Sequence, residues 1–341
     1  MKLRDLVLIL CFVAVLVVGF GVSGAFAEAN RVYVVNHSAN TVSVIDTKTN
    51  AVVATIDVGS GPVGIAINPN NKMAYVVNRL GNNVSIIDTA TNKVVKTIDL
   101  GVKSPWNIAV DPAGNRVYVN SSGDNLVSVI DTVNNTVVAK VQTSGEGAAA
   151  VKGAFNIGAN PSIKRVYVAN CSSPTIQVID AAENKELGRI KLPGAARPDL
   201  ELGPISVAAN PVTNMVYVTN TLDHTVTVID GAKDAVVTTI NVGKEPWALA
   251  INPRTNRAYV VNRLDNNVSV IDTSNNTVVA KVAVGSEPMG IAITDGKAYV
   301  ANCVSNNVSV IDTSNNTVTD TIKLPGIKPD KGLCPWGVAA F

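Results

Sequence analysis

Charge is scarce in this chain, and aromatic residues are scarcer. Of its 341 residues 16% are charged and 4% aromatic, against 47% hydrophobic. The formal net charge is +2 and no basic run occurs, so nothing electrostatic favours a nucleic acid or an anionic membrane as partner. There are two histidines, His37 and His224, and four cysteines. No CxxC, CxxCH or HExxH spacing and no carboxylate-rich calcium loop appears among them. GxSxG and any Ser–His–Asp order are missing as well. The sequence therefore supports no metal, no cofactor and no catalytic set.

What is present begins with one long apolar run. "MKLR" is followed by "LVLILCFVAVLVVGF", and "AFA" at Ala25–Ala27 places small residues where a signal peptidase reads. Residues 1–27 read as a secretory signal cut after Ala27, leaving a domain over 28–341 outside the cytoplasm: periplasmic, secreted or on the cell surface. The run is long for a signal, so an uncleaved anchor is the alternative and the only route to a membrane. Cys11 leaves with the signal, and Cys171, Cys303 and Cys334 remain for an oxidising compartment.

The rest of the chain is a repeat. Seven tyrosines (Tyr33, Tyr75, Tyr118, Tyr167, Tyr217, Tyr259 and Tyr299) each open a motif such as "YVVN" or "YVTN". Thirteen residues after each stands an aspartate ending a run like "VSVID", from Asp46 to Asp312. The tyrosines are 42, 43, 49, 50, 42 and 40 residues apart, the length of a four-stranded propeller blade. Within a repeat, "NP" and "DTxxN" turns separate four short stretches of period two. The first stretch keeps a small residue, as in Ala66, Ala109 and Gly158, where sheets would converge on an axis.

The two ends complete each other. "RVYVVN" follows the signal with no room for an innermost strand, while the closing "PWGVAAF" matches "PWNIAV" at 105–110 and "PWALAI" at 246–251. The spacing predicts an all-β, seven-bladed propeller of four-stranded antiparallel blades, closed by the C-terminal strand completing the first blade. The "YVTN" at Tyr217–Asn220 and its six relatives resemble the YVTN-type, or YncE-like, β-propeller repeat family of exported and cell-surface proteins. The resemblance covers essentially all of 28–341. It implies the seven-bladed fold and no particular reaction.

Residues repeated seven times are blade-building residues, so function is sought where the repeats differ. All three tryptophans, Trp106, Trp247 and Trp336, follow a proline at the start of the innermost strand. Phe155 and Met289 hold the same place in other blades, as do Val63 and Ile205. This position should ring the mouth of the central channel, either as an aromatic rim for a ligand or as a plug that seals it. Asn107 and Asn156 follow two of these residues. Arg79 and Arg263, both in "YVVNRL", stand just after the motif asparagine and could hold an anionic group. Three enlarged loops, 143–156, 191–204 and 323–335, should share that face. Cys303 and Cys334 lie in same-face loops flanking the closure and are expected to pair, which leaves Cys171 free.

Nine N-x-S/T sequons occur, mostly as by-products of the repeat. The reading is of a non-enzymatic, monomeric scaffold at the cell envelope that binds a protein or small molecule. The alternatives are a lactonase-like hydrolase acting at the mouth and a periplasmic accessory of a redox system.

Overall fold

The computed structural model describes residues 30–143, 154–170, 173–194, 203–294, 296–325 and 335–341. They form seven four-stranded antiparallel sheets. In six blades the strands follow chain order from the axis outwards, as in Pro62–Asn68, Met73–Asn78, Asn83–Asp88 and Lys93–Asp99. In the first blade the innermost strand is Pro335–Ala340, paired with Arg31–Asn36 through Tyr33↔Ala339 and Val34↔Val338. The ring therefore closes as the repeat count predicts.

The hydrophobic core is divided rather than central. Seven apolar clusters each join one face of a blade to the facing side of the next. In one of them Tyr33, Val35, Val42 and Val44 of the first blade meet Ala74, Val76 and Ile87 of the second. The closing cluster sets Val32, Val34 and Ile45 against Tyr299, Val308 and Val310. Because every blade has two such neighbours, its second and third strands are buried on both faces. Only the outer strands alternate between exposed and covered residues, as in Ala51–Asp57.

Period-two patterning thus marks two different buried faces here, not a core face and a wet one. In five blades the motif asparagine's Nδ2 is paired inside. Asn78 Nδ2 donates to Asn83 Oδ1 at 2.7 Å and to Ser85 Oγ at 2.8 Å. Asn262 repeats this with Asn267 and Ser269, and Asn302 with Asn307 and Ser309. A buried amide nitrogen left unpaired would cost about 1–3 kcal/mol, so in these blades the first and third residues of the strand after the turn offer oxygens.

The turns explain the abundance of Asn and Asp. Asp46 Oδ1 accepts from the backbone amides of Lys48 and Thr49, and Asp131 Oδ1 from those of Val133 and Asn134. Each such turn ends on a left-handed residue, for instance Asn50 (φ 53°) and Asn135 (φ 53°), a conformation that asparagine tolerates better than most. These bonds hold the Asp46, Asp131 and Asp180 carboxyls below the ordinary carboxylate range.

The tyrosines stitch the blades together. Each lies opposite the small residue of its own inner strand, as in Ala66↔Tyr75 and Gly158↔Tyr167. In six blades its hydroxyl bonds to the outer turn of the next blade: Tyr75 donates to Asn135 Oδ1 at 3.2 Å and Tyr217 to Asn276 Oδ1 at 3.2 Å. Tyr299 donates to Asn50 Oδ1 at 3.1 Å, carrying the same stitch across the closure.

Burial raises the Tyr33 and Tyr217 phenols from 10.0 to about 12 and moves Tyr118, Tyr167 and Tyr299 upward too. Groups raised in the fold contribute stability that is intact below pH 10 and lost as pH climbs through about 12. The melting temperature should therefore fall steeply above pH 10, and folded protein should form tyrosinate later than denatured protein; coincident tyrosinate titrations would contradict this. Deleting residues 335–341 should open the ring and cost far more than the about 1 kcal/mol of an average single substitution. A truncated protein that melts with the full chain would refute closure by this strand.

Candidate functional site at the channel mouth

The innermost strands of six blades begin with proline, whose fixed φ and missing N–H suit a strand start, and Ala154 begins the other. A bulge follows directly. The register shifts between Pro62 and Ile65, between Pro105 and Asn107, and between Pro246 and Leu249. Such bulges re-aim side chains, and here they turn the two residues after the proline into the channel. Around the ring the first of these positions holds Trp336, Val63, Trp106, Phe155, Ile205, Trp247 and Met289, all lining one cavity.

The large rings meet over the smaller residues between them. Trp106 lies 4.5 Å from Phe155 and 5.6 Å from Trp336, centroid to centroid, reaching the latter across Val63. Phe155 meets Trp247 edge-on at 5.8 Å, across Ile205. His37 stacks on Trp336 at 5.1 Å, and its Nδ1, 3.0 Å from the Pro62 carbonyl, carries the proton that this bond needs. Four aromatic side chains and a histidine thus make a continuous, half-buried arc over more than half of the mouth.

Beneath the arc is a cavity of about 170 Å³. Its second tier is lopsided. Asn107, Asn156 and Ser206 line it on the third, fourth and fifth blades, whereas Ala248, Gly290, Gly337 and Gly64 line it on the others. Glycine is required where strands crowd: a Cβ on Gly290 would lie 2.0 Å from the Trp336 carbonyl oxygen, and one on Gly337 2.5 Å from that of Val63. A third tier of Ile65, Ile108, Ile157, Leu249 and their equivalents is almost wholly apolar.

Two residues outside the expected set support the polar side. The bulge frees the Asn107 amide from the strand ladder, and it donates to Asn120 Oδ1 at 3.0 Å. Asn120 Nδ2 in turn donates to the Ala154 carbonyl of the next blade. Thr219 Oγ1 takes the Ser206 amide at 2.9 Å in the same way. Both stand two places after the motif tyrosine, where other blades carry Val or Ala. That departure was visible in the sequence, but its meaning needs the bulge.

The arginines sit at the rim. Arg79 places its guanidinium 4.2 Å from the Trp106 ring centroid, and Arg263 lies 5.5 Å from that of Trp247. Arg263 is bound by Glu245 at 3.1 Å and Glu287 at 2.9 Å. Arg79 Nε is buried without a hydrogen-bond partner, and burial lowers the arginine's pKa. His224 lies away from this cavity, in a turn where its Nδ1 accepts the Glu245 amide at 3.1 Å. Among the described residues no three His, Cys, Asp or Glu side chains cluster as a metal site would require. Cys303 is disulfide-bonded. Cys334, its expected partner, and Cys171 lie outside the described residues, as do 144–153, 195–202 and 326–334 of the enlarged loops. The described stems of those loops lead into Phe155, Ile205 and Trp336.

Residues 13–112 match the YNCE-like beta-propeller family, and residues 210–331 match the Cytochrome D1 heme domain. The first match bears out the resemblance to YncE-like β-propellers. No curated protein matches it. Solved structures similar to this propeller include a hydrazine synthase chain of Kuenenia stuttgartiensis, at TM-score 0.73 and 22% identity over 84% of this chain and 93% of that one. Apo AztD from Citrobacter koseri aligns at TM-score 0.66 and 14% identity, covering 91% of this chain and 96% of that one. The dihydro-heme d1 dehydrogenase NirN, in complex with DHE, aligns at 0.65 and 15% over 88% of this chain and 65% of that one. At such identities the likeness shows the fold alone. No described helix is long and apolar enough to cross a membrane.

Crowding at the second tier has a direct test. Gly290→Ala should lower stability by about 1–3 kcal/mol, the ordinary cost of overpacking, because the Cβ collides with backbone. Gly188, on an outer strand with nothing within 4 Å of a built Cβ, should accept alanine at no cost. Equal denaturant midpoints for the two variants would contradict the packing described here.

Proposed function

We propose that this protein is an exported, non-catalytic propeller that binds a small, flat, largely apolar ligand at the channel mouth. The observation that carries the reading is the aromatic arc: every tryptophan of the protein, with Phe155, faces one cavity on the side that carries the enlarged loops. Aromatic faces offer stacking and apolar area, while Asn107, Asn156 and Ser206 offer orienting polar groups beneath. The cavity, at about 170 Å³, is smaller than the about 300–1,000 Å³ of usual ligand pockets, so the ligand seats on the rim and inserts only part of itself.

An extracytoplasmic location goes with the apolar N-terminal run and with a disulfide at Cys303, since disulfides persist in oxidising compartments. On this reading Cys334 is the partner of Cys303 and staples the closing strand. The protein acts as a monomer.

The match of 210–331 to the Cytochrome D1 heme domain favours a second reading, an accessory of a redox system. Haem itself does not fit: the aromatic rings occupy the mouth, the cavity is far smaller than a macrocycle, and neither histidine lines it. In that role the chain would meet a redox partner through its surface.

The three tryptophans make intrinsic emission a reporter of the mouth alone. A thermal-shift screen of sugars, quinones, lactones and aromatic acids should find ligands that also shift this emission. Trp106→Ala should weaken them at least tenfold. Ligands that raise the melting temperature with unchanged emission and unchanged affinity in that variant would place binding elsewhere.

A further inference from the structure

Arg79 and Arg263 occupy the same place in two repeats, yet their surroundings differ. The Arg79 amide donates to the Gly61 carbonyl at 2.9 Å, and the Arg263 amide to the Glu245 carbonyl at 2.9 Å. The Arg79 guanidinium lies over Trp106 of the next blade, whereas that of Arg263 lies over Trp247 of its own blade. Around Arg263 the two residues that precede the inner-strand prolines, Glu245 and Glu287, neutralise it with bonds of 3.1 and 2.9 Å. The corresponding residues around Arg79 are Gly61 and Ser104, which bring no charge.

Arg79 accordingly has no carboxylate partner among the described residues, and its Nε is buried without a hydrogen bond. A half-buried guanidinium pressed on an indole, with its counter-charge missing, is a costly arrangement unless an anion completes it. We infer that Arg79 and Trp106 form a carboxylate subsite, and that the mouth takes a small aromatic or flat aliphatic acid. The carboxylate meets the guanidinium edge, and the body lies on Trp106 and Trp336 above the cavity. The Arg263 side, already carrying two carboxylates for one arginine, repels the same group and fixes the ligand's direction. This inference rests on the mouth being the binding site.

The test compares benzoate with benzamide, and 1-naphthoate with 1-naphthamide. Each pair has one shape and differs by one charge, and binding is read by tryptophan emission and thermal shift in the full chain. The acids should bind at least tenfold more tightly than the amides, and salt should reduce that margin. Arg79→Gln should abolish the preference, and Arg79→Lys should keep most of it. Ser104→Glu, which copies Glu287 beside Arg79 while keeping the arginine, should abolish it too; this separates lost charge recognition from lost packing.

Equal binding of acid and amide at the emission-reported site overturns the carboxylate subsite and leaves the mouth as the binding site. A preference that survives both Arg79→Gln and Ser104→Glu moves the anion site elsewhere and overturns the assignment. Silence of emission and melting temperature with all four probes overturns the subsite and counts against the mouth itself.

Discussion

The tyrosine that reaches from one blade into the outer turn of the next is the contact on which this structure depends. Its ring fills the wedge between two sheets, and in six of the seven blades its hydroxyl finds an acceptor on the neighbouring turn, as Tyr75 finds Asn135. That acceptor exists because the aspartate of the turn has folded the backbone around its own carboxylate. Tyrosine and aspartate, thirteen residues apart in sequence, thus act in pairs drawn from different blades. A propeller built this way has no single core to lose; it has seven seams of equal kind.

Equal seams leave the site to the exceptions. The bulge after each proline is common to the inner strands, but what it presents is set blade by blade. Bulky rings at four positions, two small aliphatics between them and Met289 make an arc and not a full ring. Below, polar side chains on three adjacent blades face glycines and an alanine on the other four. The same scaffold that repeats strictly at Tyr and Asp is therefore strongly asymmetric at its axis.

Most of the architecture was legible in the sequence because seven copies of one motif reported the same geometry. The closing strand could be read from the match of "PWGVAAF" to "PWNIAV", and the shared placement of Trp106, Trp247 and Trp336 from the same alignment of repeats. Period two alone does not say that both faces are covered; Ser85 and Asn78 are buried together between blades. What stayed hidden depends on which loops touch. Arg79 and Arg263 look alike in "YVVNRL", and only the fold shows that Glu245 and Glu287 surround one and that Gly61 and Ser104 surround the other. Asn120 and Thr219 likewise gain meaning from backbone amides that the bulge releases.

The pairing of Arg31–Asn36 with Pro335–Ala340 also sets a clock. The first blade is made first, yet its innermost strand is synthesised only after the other six blades. Until then Tyr33 lacks Ala339 across from it, and the three-stranded remnant carries an unpaired edge. Contacts of such long sequence separation form late, because a large loop must close before any of them is gained. Completion of the oldest part of the molecule thus waits on the youngest, and a nascent chain stays loose for as long as it is unfinished.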